Sequence, residues 1–116
     1  MKKILFLLST CTIILICCKT TSKTTVVPKV DKMVPDSADE SYAKTKWSDA
    51  TKESLTEGYN LYIANCGKCH EFKKPKNYSE QQLGFDVPDM AERAMLTKPQ
   101  GELILRYMLA KKNATP

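Results

Sequence analysis

The chain has 116 residues, with 18 Lys and Arg against 13 Asp and Glu, a formal net charge of +5 and five cysteines. This length excludes a chain of several large domains and predicts one small domain. The mild positive charge is that of a solvated surface and does not indicate a nucleic-acid-binding protein.

Residues 1–17 have the pattern of an export signal. Two lysines precede an apolar run over residues 4–16, which is too short to span a bilayer comfortably. The sequence up to Cys18 resembles a bacterial lipoprotein box, in which the cysteine after the cleavage point is acylated, although Cys17 stands where Gly, Ala or Ser is usual. We predict lipidation at Cys18, and therefore an exported, periplasmic or cell-envelope protein anchored to a membrane. The alternatives are a plain signal peptide cleaved beyond Cys18 and an uncleaved anchor.

Residues 18–47 have the composition of a flexible linker. They begin with a stretch rich in Lys, Ser and Thr, contain two prolines and show no sustained apolar period. A flexible tether of about 30 residues has an r.m.s. reach of roughly 30 Å, which would let an anchored domain reach its partners. The alternative is an extension that packs on the domain through Met33, Tyr42 and Trp47.

Residues 48–113 are predicted to form the folded unit. No segment of them shows sustained strand alternation, and apolar side chains recur at helical spacing, so we expect an all-α fold of about three or four short helices. The first helix covers about residues 51–65, and its start is open between Ser48, Thr51 and Ser54. One apolar face of this helix consists of Leu55, Tyr59 and Tyr62.

The middle of this unit, residues 78–96, contains another helix start at Ser79. Gly84 and Pro88 either kink one helix or divide it into two short ones, and both alternatives stay open.

The last helix is predicted from a capping-box pattern at Thr97 to about Lys111. A glycine within a helix allows close approach by another helix. We therefore expect the first and last helices to cross near Gly58, with Tyr62 and Tyr107 packed at the contact.

Residues 66–70 read Cys-Gly-Lys-Cys-His, the pattern of a covalent c-type haem attachment site. The thiols of Cys66 and Cys69 lie about one helical turn apart, which suits the two vinyl groups of one porphyrin. The adjacent His70 would be the proximal iron ligand.

Other interpretations of this motif are weaker. A structural disulfide between Cys66 and Cys69 is the first. A thioredoxin-like pair would need a strand before the motif, and a structural zinc site needs four protein ligands. Beyond residue 18 the chain has only two cysteines and one histidine. With no cysteine left for another disulfide, a covalent haem would also staple this small domain.

The chain is similar to small bacterial monohaem cytochromes c of the class I type over about residues 55–110. The likeness begins with a glycine and an aromatic residue four positions later in the helix before the motif. It continues through a Met, a basic and small-residue turn and Leu-Thr before the last helix. The residues that carry it are Gly58, Leu61, Tyr62, Cys66, Gly67, Lys68, Cys69, His70, Pro75, Tyr78, Ser79, Gln82, Met90, Arg93, Ala94, Leu96 and Thr97. It departs at Leu83, where the family has Trp.

This resemblance implies a class I-like cytochrome c domain around one haem c, which carries single electrons between redox protein partners and turns over no substrate. It also implies that Met90 is the distal iron ligand opposite His70. Two other classes stay open. The first is a haem-based ligand sensor or peroxidase-like protein with an open sixth site, and the second is a fixed haem subunit of a respiratory or dehydrogenase complex. We expect the domain to be monomeric.

The residues themselves leave the sixth iron ligand open among several methionines. The chain has one histidine, so bis-His ligation from within it is excluded, and a soft Met sulfur suits low-spin haem. Met90 shares a helical face with Leu83 and Val87, and the alternative is that it is only a core residue. The other candidates are Met33, Met95 and Met108.

The surroundings of the motif carry two further expectations. His70 Nδ1–H should donate to a backbone carbonyl at or near Pro75, and Tyr78 either reaches a haem propionate or is an ordinary tyrosine. Four lysines near the motif would steer an acidic redox partner, or are simply solvated. These lysines are Lys68, Lys73, Lys74 and Lys76.

Overall fold

The computed structural model describes residues 32–115, and all regular elements in this range are helical. The four α-helices are α1 (Ser37–Lys46), α2 (Lys52–Asn65), α3 (Glu80–Arg93) and α4 (Lys98–Asn113). This part of the chain confirms the all-α prediction, and none of its helices is long and apolar enough to cross a bilayer. The predicted export signal, Cys18 and residues 19–31 lie outside the described residues.

Every α-helix in the described range begins with a capping box, in which the N-cap side chain and the side chain three residues later each accept the other's backbone N–H. The four N-cap residues are Asp36, Thr51, Ser79 and Thr97. The predicted starts at Ser79 and Thr97 are confirmed. Of the three starts left open for α2, the structure has Thr51, because its hydroxyl accepts from the Ser54 N–H at 3.1 Å.

Helix α3 is one continuous helix with Pro88 inside it, so the choice between one helix and two is decided. Pro88 lacks a backbone N–H and costs one intrahelical hydrogen bond. Burial of Leu83 before the proline and of Ala91 after it holds both halves of α3 against the core.

Helices α2 and α4 cross at Gly58, as predicted. A Cβ atom at this position would lie 2.8 Å from the carbonyl carbon of Leu103 and 2.9 Å from Cβ of Tyr107, so the two helices touch without an intervening side chain. The rings of Tyr62 and Tyr107 pack beside the crossing with centroids 6.0 Å apart. The buried core around this contact consists of Tyr62, Leu83, Val87, Ile104, Tyr107, Met108 and Leu109.

Helix α1 lies within the range that was predicted to be a flexible linker, so the structure corrects the boundary at residue 48. Ala43 of α1 is completely buried and packs in a second apolar cluster with Ala50, Leu55 and Ala110. The alternative of a packed extension therefore describes the residues just before residue 48. The helix escapes detection in the sequence because it buries a small side chain rather than a stripe of large apolar ones.

Polar contacts also tie this N-terminal part to the rest of the fold. The Tyr107 hydroxyl donates to the Met33 carbonyl at 2.8 Å, and Lys111 Nζ donates to the Val34 carbonyl at 3.0 Å. At the other end of α1, Lys46 Nζ pairs with a Glu80 carboxylate oxygen at 2.7 Å. These bonds fix α1 against α4 and the start of α3.

Candidate cofactor site

A cavity of about 280 Å³ lies between the 66–70 turn and helices α2, α3 and α4. It is lined by Tyr62, Cys66, His70, Lys73, Tyr78, Leu83, Asp86, Val87, Met90, Ile104 and Met108. Most of these side chains are apolar or aromatic. Three of the four residues predicted to bind haem thus share one cavity, namely Cys66, His70 and Met90. The fourth, Cys69, is exposed and is not among the lining residues.

The end of α2 places the motif at this cavity. The helix ends at Asn65 and continues directly as a 3-10 turn over Cys66–Lys68, with the Cys66 N–H donating to the Tyr62 carbonyl. Both Cys66 and Cys69 are free thiols. Burial raises the pKa of the Cys66 thiol, which favours its protonated form and slows its reaction with electrophiles.

The ring of His70 is oriented by its own neighbour. Nδ1 lies 2.7 Å from the Glu71 carbonyl oxygen, and because a carbonyl only accepts, Nδ1 carries the proton and donates. In the neutral ring this leaves the lone pair on Nε2, as a metal-binding imidazole requires. The predicted acceptor at or near Pro75 is therefore Glu71 in this structure, since the carbonyl directly after His70 is already within reach.

The methionines separate into two groups. Met90, on α3, and Met108, on α4, both line the cavity, although Met90 is 45 % exposed and Met108 only 2 %. Met95 is 93 % exposed, and neither Met95 nor Met33 lines the cavity. The burial of Met108 suits a packing residue, and its place four residues after Ile104 gives both side chains the same helix face.

Polar groups at the cavity include some that the sequence did not single out. The Tyr62 hydroxyl donates to the Lys73 carbonyl at 2.9 Å, and burial raises the pKa of Tyr62 to about 12, so this phenol is a neutral donor at ordinary pH. Lys73 lines the cavity with Nζ 5.9 Å from the ring centroid of Tyr78. Asp86 also lines it. Its position between Leu83 and Met90 at helical spacing is the signal that could have found it.

The residues present fit a covalently attached haem. The cavity volume of about 280 Å³ lies just below the range of about 300–1,000 Å³ for small-molecule sites, and its lining combines apolar walls with a thiol, an imidazole and thioethers. No group of three or more His, Cys, Asp and Glu side chains among residues 32–115 could hold a metal ion.

Comparisons of this chain with models of protein families, with curated proteins and with solved structures find no match. The resemblance to cytochromes c accordingly depends on the residues named above and on no detected relative.

Proposed function

We propose that this chain is a monohaem c-type cytochrome, which carries single electrons between exported or membrane-bound redox proteins. The observation that carries the proposal is the convergence of Cys66, His70 and Met90 on one largely apolar cavity. A bound haem c would supply an iron that changes between Fe(II) and Fe(III) by one electron.

In this proposal each residue of the motif has a separate role. Cys66 and Cys69 would hold the cofactor covalently, and His70 would bind the iron through Nε2 while the Glu71 carbonyl holds its Nδ1–H. Met90 would bind the iron through its sulfur. Its partial exposure puts it at the edge of the cavity, whereas Met108 is packed in the core.

The apolar and polar parts of the cavity support different functions. The side chains of Leu83, Val87 and Ile104 exclude water and lower the local dielectric, which tunes the potential of a bound iron. Lys73 and Tyr78 provide an ammonium and a phenol that suit the carboxylates of the haem propionates.

The lysines beside the motif support an acidic redox partner. Lys68, Lys73, Lys74 and Lys76 are all exposed, and within the described residues none of them pairs with a carboxylate at 4 Å or less. Unpaired positive charge around one edge of a site attracts negatively charged molecules over a range set by ionic strength. We therefore expect the loaded protein to be oxidised faster by an anionic metal complex than by a cationic one of similar potential, with the difference reduced at high salt.

The decisive experiment uses the full chain produced with haem-maturation machinery. We expect haem to stay attached on a denaturing gel in the wild type, and to be lost when Cys66 and Cys69 are both changed to Ala. The ferric protein should show the weak red absorption band that reports an iron–thioether bond, and Met90→Ala should abolish the band. Met108→Leu is the matched control, because it changes the other cavity methionine and should leave the band in place.

Two results would reject the electron-carrier proposal. A wild-type chain that takes up no covalent haem under these conditions would reject the cofactor itself. A wild type without the thioether band, whose high-spin iron readily binds carbon monoxide or cyanide, would favour the ligand sensor or peroxidase-like protein instead.

The membrane anchor is part of the proposal and lies outside the described residues. We expect a labelled fatty acid fed to the producing cells to be incorporated into the wild type. The label should be lost in Cys18→Ser and retained in Cys11→Ser, since of these two cysteines only Cys18 follows an apolar run of sufficient length. Equal labelling of both variants would contradict acylation at Cys18.

A further inference from the structure

The ring of Phe72 fills a notch at Gly67 in the attachment turn. A Cβ atom at position 67 would lie 2.7 Å from Cε1 and 3.1 Å from Cε2 of this ring, so no other amino acid fits beside Phe72 without a shift of the chain or the ring. The ring also packs on Tyr62 of α2, with ring centroids 5.5 Å apart. Phe72 therefore connects the turn to the helix that precedes it.

The contact between Gly67 and Phe72 is not part of the cavity lining. Cys66 and His70 line the cavity, whereas Gly67 and Phe72 are not among its lining residues. The turn thus presents Cys66 and His70 to the cavity, while Gly67, between them in sequence, contacts the Phe72 ring.

Hydrogen bonds on both sides of Phe72 hold the segment in this position. Before it, the Glu71 carbonyl accepts from His70 Nδ1 at 2.7 Å. After it, the Lys73 carbonyl accepts from the Tyr62 hydroxyl at 2.9 Å. Residues 71–73 are therefore folded back on the motif and on α2, with the Phe72 side chain between the two bonds.

We propose that Phe72 is a positioning residue, which holds the 66–70 turn so that Cys66 and His70 face the cavity, and that position 67 must be glycine because the Phe72 ring occupies the space of a side chain. The identity of the group presented to the cavity rests on the proposed function. The packing relation between Gly67 and Phe72 does not.

The test compares thiol reactivity in the full chain produced without haem-maturation machinery and kept reduced. Alkylation of Cys66 and Cys69 by iodoacetamide is measured separately on the peptides by mass spectrometry. We expect Gly67→Ala to raise the rate at the partly buried Cys66 several-fold, because the turn moves away from the ring. Phe72→Leu, which lacks the atoms that would clash, should raise it by less. Gly84→Ala is the matched control, because a Cβ atom there meets nothing within 4 Å.

The double variant Gly67→Ala/Phe72→Leu gives the sharpest result. If the Phe72 ring is what excludes a side chain at position 67, Gly67→Ala has no further effect once Phe72 is Leu. Cys66 in the double variant is then alkylated at the same rate as in Phe72→Leu alone. An unchanged Cys66 rate in both single variants, or additive effects in the double variant, would overturn the proposal. If Gly67→Ala does not fold, a folded double variant supports the proposal, and an unfolded one overturns it.

A second measurement uses the same variants with haem-maturation machinery. We expect Gly67→Ala to give less covalent haem than the wild type and the double variant to recover the yield of Phe72→Leu. A wild type that takes up no haem would refute the proposed function, while the alkylation pattern would still decide the role of Phe72.

Discussion

Asp39 of α1 and Lys111 of α4 form a buried ion pair, with Lys111 Nζ 2.7 Å from Asp39 Oδ2 and side chains only 3 % and 13 % exposed. The same carboxylate oxygen accepts the backbone N–H of Asp36 at 2.8 Å, which completes the capping box of α1. One carboxylate thus both begins a helix and attaches it to the C-terminal helix.

We expect Asp39→Asn to lower the free energy of unfolding by about 2–3 kcal/mol, because it leaves the Lys111 ammonium with only the exposed Asp36 carboxylate, 3.5 Å away, as a counter-charge. Asp49→Asn is the matched control. Asp49 pairs with Arg106 at 3.0 Å, but its side chain is 73 % exposed, and exposed pairs contribute about 0–1 kcal/mol. The free energy of unfolding of both variants is measured by urea unfolding followed by far-UV circular dichroism. Equal decreases in the two variants would show that the buried pair contributes no more than the exposed one.

The boundary of the folded unit can be tested by truncation. A chain that begins at residue 48 loses α1 together with the hydrogen bond from Tyr107 to the Met33 carbonyl. We expect it to be at least about 2 kcal/mol less stable to urea than a chain that begins at residue 32, from the lost burial of Ala43 and the lost polar bonds. Equal stability would restore the boundary predicted from the sequence.

The helix crossing makes position 58 intolerant of a side chain. Gly58→Ala would force a methyl group against the backbone of Leu103, and we expect a loss of about 2–3 kcal/mol, since a helix backbone cannot shift as a flexible side chain does. Gly84 lies within α3, and a Cβ atom there meets nothing within 4 Å. Gly84→Ala should therefore raise the free energy of unfolding by up to about 1 kcal/mol through helix propensity. Urea midpoints of the two variants should therefore move in opposite directions, and a stable Gly58→Ala protein would refute the close crossing.

Met95 has the only positive φ angle among the described non-glycine residues, 58°. It follows the end of α3 in a Schellman motif, in which the Met95 N–H donates to the Glu92 carbonyl and the Leu96 N–H to the Ala91 carbonyl, each at 2.9 Å. A non-glycine residue in this conformation costs about 1–2 kcal/mol.

We therefore expect Met95→Gly to stabilise the protein by about 1 kcal/mol. Ala94→Gly, one residue earlier at φ −82°, should destabilise it, because glycine gains nothing from a conformation that alanine adopts freely. Thermal unfolding distinguishes the two. In the haem-loaded protein, Met95→Gly should also leave the iron–thioether band intact, and loss of the band would point to Met95 as the ligand.

Alkaline pH should weaken the core around Tyr62. Burial raises the pKa of Tyr62 to about 12 in the folded protein, whereas an unfolded tyrosine titrates near 10. Between these values the unfolded chain holds fewer protons than the folded one, so stability falls as pH rises from about 10 to about 12, by up to about 1.4 kcal/mol per pH unit for this group.

Tyr62→Phe should remove the contribution of this group to the decrease in stability between about pH 10 and about pH 12. It also loses the hydrogen bond to the Lys73 carbonyl, at a cost of about 1 kcal/mol at neutral pH. Urea unfolding at a series of pH values separates the two effects, because the first appears only above about pH 10. If Tyr62→Phe loses stability above about pH 10 as steeply as the wild type, other groups cause the decrease. Tyr107 is one such group, because burial also raises its pKa.

The sequence by itself determined the features that depend on neighbouring residues. The starts of α3 and α4 were predictable because a capping box joins residues only three positions apart. The Cys-Gly-Lys-Cys-His motif could be recognised in the sequence because its two thiols and its imidazole lie within residues 66–70. The crossing at Gly58 was predictable because a glycine at a helical position leaves a gap that a second helix can enter.

The tertiary structure alone decided what depends on contacts across the chain. The ion pair that holds α1 joins residues 72 positions apart, and no local pattern around Asp39 indicates its partner. The choice of Met90 and Met108 over Met95 as cavity residues depended on how α3 and α4 pack together. The contact of Phe72 with Gly67 depended on the fold-back of residues 71–73. Each of these features depends on contacts with side chains that are distant in the sequence. Helical periodicity and short motifs describe only neighbouring residues, so they do not predict such contacts.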